Sequence, residues 1–161
     1  MSTQNEVVRI GSLETDSIFV KAIGSNSDLM EFIGGRLYGT AIPLPDNYAE
    51  NVPVPYVIVT FDGLNNDAET KDSSFEGESD VVRIGIEVAA KSLDQLHRLT
   101  QMVRETVLGY MEQHAGGEDF PIEDYTFSAQ QIVFDSLKPC FWQVLNYSCD
   151  VITLVEYEVT G

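Results

Sequence analysis

Six carboxylate or amide side chains fall within eleven residues of this sequence: Asp62, Asn65, Asn66, Asp67, Glu69 and Asp72. Carboxylates and amides at that density are the raw material of a calcium site. A helix–loop–helix calcium site needs acids at alternate positions, a central glycine and a glutamate at the twelfth, and none of these spacings holds here. The segment is expected to be a solvated loop or contact surface rather than a metal centre. Two histidines, His97 and His114, offer little more. His97 falls on a helix surface, and no Ser or Cys sits in an elbow motif that it could activate. His114 falls at a helix C-terminus, where the dipole favours a cation. Cys140 and Cys149 lie in one apolar strand-like region and form no Cys-x-x-Cys motif, so zinc has almost nothing to bind. They are expected as two small buried side chains, and a disulfide would need a turn that brings them face to face. With 26 acids, carboxylate pairs arise by chance and signal no glycosidic chemistry. No phosphate-cradling glycine motif is present. Trp142, beside Phe141, is expected as a core anchor. Catalytic, cofactor and metal sites are therefore expected to be absent, and no enzyme activity is assigned.

These residues must be placed by a small set of elements. Apolar residues Ile18, Phe19, Ala22 and Ile23 recur at helical spacing, with Ser12 or Thr15 as cap and Gly24 as stop. A second short helix starts from Ser27, buries Leu29, Met30, Phe32 and Ile33, and ends at Gly34-Gly35. Residues 36–42 suit a short strand. Four prolines in 43–55 fix an extended path. Tyr56 to Phe61 is apolar on both faces and suits a central strand, in which Tyr56 is an anchor. Residues 62–80 have no stable period and form a long hairpin loop, followed by an alternating strand through Val82, Ile84, Ile86 and Val88. Ser92 with Gln95 opens a long helix to about Gln113, whose buried face carries Leu93, Leu96, Leu99, Met102, Val103, Val107 and Tyr110, with Leu96 and Leu99 as core anchors. Residues 115–125 form a second loop. A strand over Gln130–Asp135, a turn at Leu137-Lys138-Pro139 and a last strand complete the chain. The expected fold is α+β: a mostly antiparallel sheet with the long helix packed on one face and short N-terminal helices. Residues 1–13 are expected to form a flexible arm and 14–161 a single domain.

The chain has 161 residues, 9 Lys plus Arg and 26 Asp plus Glu, for a net charge of −17. Such a surface repels phosphates, which argues against nucleic-acid and anionic-membrane binders. No apolar run approaches the ~18 residues of a spanning helix, and residues 1–6 show no secretory signal pattern. The charge is uneven. Residues 62–80 carry −6 and residues 112–125 carry −5, whereas residues 81–111 carry +1. The sequence is a nearly neutral scaffold with two acidic lobes.

The layout resembles the tail-terminator and tail-completion (minor tail) proteins of long-tailed bacteriophages, including prophage copies. The features that carry it run from about residue 14 to 155. They are the Gly-Arg-Leu-Tyr strand at 35–38, the Val54-Pro55-Tyr56-Val57-Ile58-Val59 entry, and the strand Val81–Lys91. The helix with Leu93-Asp94-Gln95-Leu96 and Val103-Arg104, and the strand led by Trp142, complete them. Residues 43–55 and 112–127 are longer than a minimal member needs. The resemblance implies an α+β virion subunit that closes into a ring, commonly a hexamer, at the end of the tail tube and the head–tail junction. Its partners would be tail-tube and head-connector proteins, and DNA would pass without tight binding. It implies no cofactor, no catalysis and no membrane. It places the protein in the bacterial cytoplasm during assembly and then in the virion tail or neck. Within it, Asn65, Asp67, Glu69, Asp72, Glu76 and Glu78 are candidate residues of an inter-subunit or lumen loop. Two other classes fit the composition: an acidic DNA-mimic inhibitor, and a small cytosolic ligand-binding domain.

Overall fold

The computed structural model describes residues 6–10, 14–39, 52–66, 78–117 and 120–158. Its elements are β1 (Glu6–Ile10), α1 (Thr15–Gly24), α2 (Ser27–Phe32), β2 (Leu37–Tyr38), β3 (Tyr56–Asn66), β4 (Glu78–Ala90), α3 (Leu93–His114), β5 (Ile122–Ala129), β6 (Val133–Asp135) and β7 (Cys140–Glu158). The fold is α+β. The sheet order is β1-β7-β4-β3-β2, and β5 and β6 also pair with β7. Every ladder is antiparallel except β2–β3. No helix among the described residues is long and apolar enough to cross a membrane.

Helix α3 follows from its cap and its stripe. Ser92 Oγ accepts the Gln95 N–H at 3.1 Å, and Gln95 Oε1 reaches back to the Lys91 N–H at 2.9 Å. Leu96, Leu99, Val103, Val107 and Met111 then face the sheet and are buried. Leu93, expected on that stripe, is the first residue of the helix and is 42 % exposed. The principal core lies between one sheet face and α1, α2 and α3. It holds Phe19, Ile23, Leu29, Val57, Val59, Ile84, Ile86, Leu145 and Tyr147. A smaller cluster on the other face gathers Val52, Tyr56, Ile58 and Ala89, with Tyr38, Val54 and Trp142 packed on it. Strand β3 is thus covered on both faces only from Tyr56 to Val59. From Thr60 onward its outer face is open.

Several local expectations are corrected. Asn26, not Ser27, caps α2: its Oδ1 accepts from the N–H groups of Asp28 and Leu29 at 3.1 and 3.2 Å. Thr15 is the first buried residue of α1 rather than its cap, Glu14 stands at the N-cap without a side-chain bond, and Ser12 lies outside the described residues. Gly34 and Gly35 do end the second helix, with φ of 60° and 76°. The β3–β4 ladder reaches into the segment expected as loop: it runs to Asn66 opposite Asp80, across a bulge between Phe61 and Gly63. The remaining connection, 67–77, lies outside the described residues. The second acidic segment is half regular structure, since it takes in the end of α3 and the start of β5. The strand expected at 130–135 shrinks to Val133–Asp135, and the β-strand pairing with Cys149 and Tyr147 belongs to β5 instead. Of the strand expected over 36–42, residues 36–39 are described, and Leu37–Tyr38 form strand. Residues 6–10, part of the arm expected over 1–13, form a strand opposite Leu154–Glu158.

Candidate functional site

The oxygen-rich segment splits between ladder and connection. Asn65 and Asn66 stand at the end of β3, opposite Val81 and Asp80. The Asn66 amide donates to the Asp80 carboxylate, and Asp80 is only 5 % exposed. The Asn65 amide oxygen accepts from Arg83 Nη1 at 3.0 Å. Thr60 donates to Asp62 Oδ1 at 2.8 Å over Gly85, where a Cβ would collide with Asp62 Oδ2. These groups satisfy one another, and no cluster of three or more His, Cys, Asp or Glu assembles among the described residues. Asp67, Glu69, Asp72 and Glu76 lie outside the described residues. The backbone of Glu78 stands opposite Thr153.

The remaining singled-out side chains are placed as follows. Tyr56, Leu96 and Leu99 are buried, and Trp142 is half-buried on the smaller cluster. His97 is exposed on α3. Both cysteines are buried and free. They are nine positions apart on β7, an odd step that sends them to opposite faces, at roughly 30 Å of strand. Burial pushes the Cys149 thiol up to about 12 and also raises that of Cys140, where Asp135 adds to the shift. Neither is a poised nucleophile.

The structure also builds two features that the sequence reading did not single out. The first is a cleft of about 560 Å³ between α1 and the end of α3. Its walls include Ile18, Lys21, Tyr110, His114, Phe120 and Pro121. The His114 ring stacks on Tyr110 with centroids 4.1 Å apart, and its Nδ1 lies 2.9 Å from the Tyr110 carbonyl. Phe120 closes the set, 5.6 Å from His114 and 6.3 Å from Tyr110. Lys21 is the one Lys, Arg, Asp or Glu among the described lining residues.

The second feature is the β6–β7 hairpin. Asp135 Oδ1 accepts from the N–H groups of Leu137 and Lys138 at 3.0 and 3.3 Å, which fixes the turn. Lys138 donates to the Val52 carbonyl and lies over the Tyr56 ring. The turn is thereby held at both sides, yet Leu137 at its tip is 96 % exposed. Phe134, tilted against Phe141 with ring centroids 5.0 Å apart, is 53 % exposed, and Val133 is 38 % exposed. Three of the five large apolar side chains exposed among the described residues therefore lie within Val133–Leu137. A signal was present in the sequence: residues 125–149 contain one acid, Asp135, and one base, Lys138, in a chain of charge −17.

The two features lie at opposite ends of the molecule. Pro121, on the rim of the cleft, accepts from the Ile152 N–H at 2.9 Å, whereas the hairpin enters β7 at Cys140. Twelve residues of strand separate them, about 40 Å at ~3.3 Å per residue.

No protein-family model and no curated protein sequence matches this chain. Solved structures do resemble it. A chain of the virion of a native gene transfer agent particle aligns over 89 % of this chain and 99 % of its own, with a TM-score of 0.52 at 10 % identity. The gp17 protein of bacteriophage SPP1 aligns over 86 % of this chain and 88 % of its own, at 16 % identity and a TM-score of 0.43. The first likeness establishes a shared fold.

Proposed function

We propose that this chain is a non-enzymatic virion structural protein of the tail-terminator or tail-completion type, which closes into a ring at the end of a phage tail tube. The observation that carries this reading is the fold shared almost end to end with a chain of a virion particle. The molecule's surface suits it. A heterologous interface that closes into a ring needs two different, complementary patches on one subunit. An apolar hairpin and an aromatic cleft at opposite ends of the sheet supply two such patches. In this reading the acidic connection after β3, with Asp67, Glu69, Asp72 and Glu76, faces the lumen. There its charge lets DNA pass without adhering. The partners are the tail tube on one side and the head connector on the other.

Light scattering coupled with negative-stain electron microscopy tests the reading. Annular particles, sixfold for a hexamer, are the expected result. A strict monomer at high concentration, alone and with purified tail tubes, overturns it. A ring whose acidic connections point outward removes the lumen assignment while leaving the ring.

A further inference from the structure

We infer that residues 52–55 form a latched strap over one end of the outer sheet face, and that this strap opens as a unit apart from the helix-packed core. The device does not depend on the ring reading.

The strap is held by its carbonyls. Pro53 and Pro55 have no N–H to give to a neighbouring strand. Two cations supply donors instead. Lys138, from the β6–β7 turn, donates to the Val52 carbonyl, and Arg36 Nε, just before β2, donates to the Pro55 carbonyl at 2.9 Å. The Lys138 ammonium also lies 5.6 Å from the centre of the Tyr56 ring, which adds a cation–π contact. One lysine thus ties the strap to a hairpin 86 positions away in sequence.

What the strap covers is a small core. Tyr56, Ala89, Trp142 and Val133 stand opposite one another on β3, β4, β7 and β6. Ile58 and Ala89 are buried there with Val52 and Tyr56, and Val54 and Trp142 pack on them. Four buried residues make up this cluster, and the sheet separates it from the larger core against α1, α2 and α3. A small apolar cluster held by few ties is where a native protein opens locally, at a free energy below that of global unfolding.

The bonds decide what moves. Tyr56 belongs to β3, and its hydroxyl donates to Glu87 Oε2 on β4 at 2.9 Å, so its ring stays with the sheet. Val52 and Val54 leave with the strap. Ile58, Ala89 and Trp142 are then uncovered beside Val133, which is already exposed. The open form presents one apolar row across four strands, and the closed form hides most of it.

The test uses the full chain. Trp142 is its single tryptophan, so tryptophan fluorescence reads this cluster alone, while far-UV circular dichroism reads the helices. Lys138→Met keeps an aliphatic stem and removes the donor. In this variant acrylamide quenching of Trp142 in native buffer is expected to rise on the order of twofold or more. Its fluorescence midpoint in urea is expected to fall below that of the helical signal, which stays at the wild-type value. Arg36→Met is expected to act in the same direction. Unchanged quenching in both variants, or fluorescence and helical midpoints that move together, overturns the inference.

Discussion

The Tyr56 hydroxyl donates to Glu87 Oε2 at 2.9 Å, diagonally across the β3–β4 ladder, where Tyr56 stands opposite Ala89 and Glu87 opposite Ile58. The bond ties a half-buried carboxylate to the smaller cluster. Burial raises the Glu87 pKa above its ordinary 4.5, and the Tyr56 bond opposes that shift without cancelling it. The folded state therefore holds this proton more tightly than the unfolded state. Its contribution to stability is fully present below about pH 4.5 and is lost as pH rises through the raised value. Glu87→Gln keeps an acceptor for Tyr56 and removes the half-buried charge. The variant is expected to melt higher than wild type at pH 7, with the two converging below pH 4.5. Melting curves from pH 4 to pH 8 check this. Parallel profiles would sink the assignment.

Tyr147 is 2 % exposed, and its hydroxyl finds no hydrogen-bond partner among the described residues. The ring packs against Phe19 and Phe127, each at 5.1 Å, and against Tyr125 at 5.8 Å. The aromatic body fits while the oxygen is buried unsatisfied, at a cost of about 1–3 kcal/mol. Tyr147→Phe keeps the ring contacts. It is expected to be neutral or to stabilise by about 1 kcal/mol in chemical denaturation. A loss of 1 kcal/mol or more would show that the hydroxyl has a partner.

Asn26 works at both ends of its amide. Its oxygen caps α2, and its nitrogen donates to Thr106 Oγ1 on α3 at 2.8 Å. Asn26→Ala removes both and is expected to destabilise by about 1–2 kcal/mol. Asn26→Asp keeps only the cap and should recover part of the loss. Equilibrium urea titrations of the two variants separate the cap from the tie to α3.

The thiols of Cys140 and Cys149 should resist modification in the folded protein. With its pKa at about 12, Cys149 is thiolate to about one part in ten thousand at pH 8. A thiol-reactive chromophore is expected to titrate neither cysteine in native buffer and both in denaturant. Fast labelling of one thiol in native conditions would show local opening of β7.

Leu99 is fully buried where α3 meets the sheet. Leu99→Ala is expected to destabilise by about 2–5 kcal/mol, the spread reflecting how far the site can collapse. Leu108→Ala, on the exposed side of the same helix, should stay within about 0.5 kcal/mol in the monomer. Paired denaturation curves give the contrast.

The α+β class, the two short helices and the long helix were legible because their signals are local. The stripe from Leu96 to Val107 and the Ser92 box each lie within a few turns of chain, whereas at its end the structure buries Met111 in place of the expected Tyr110. Strand β5 was not legible as a strand at its start. Glu123 and Asp124 make it look like a loop, and only pairing with β7, by way of Tyr125 opposite Cys149, makes it regular. The Ser27 cap failed by one residue because Asn26 also reaches Thr106, 80 positions away, and that bond cannot be read from neighbours in sequence. The cleft was illegible for the same reason: Ile18 and Lys21 come from α1, Tyr110 and His114 from α3, and Phe120 from the connection beyond. The acidic segments were legible as charge, and their role as contact or lumen surface is a matter for the ring experiment.

Strand β7 runs unbroken through 19 residues, roughly 60 Å, and is laced along its length to β1, β4, β5 and β6. The hydrogen bonds of antiparallel ladders lie across the strand axis. Tension applied between the hairpin end and the Glu158 end would therefore run along the covalent backbone of β7, with the ladders on either side holding the strand extended. This places the mechanically strongest direction of the subunit along β7, joining the hairpin at one end to the strand beside the cleft at the other.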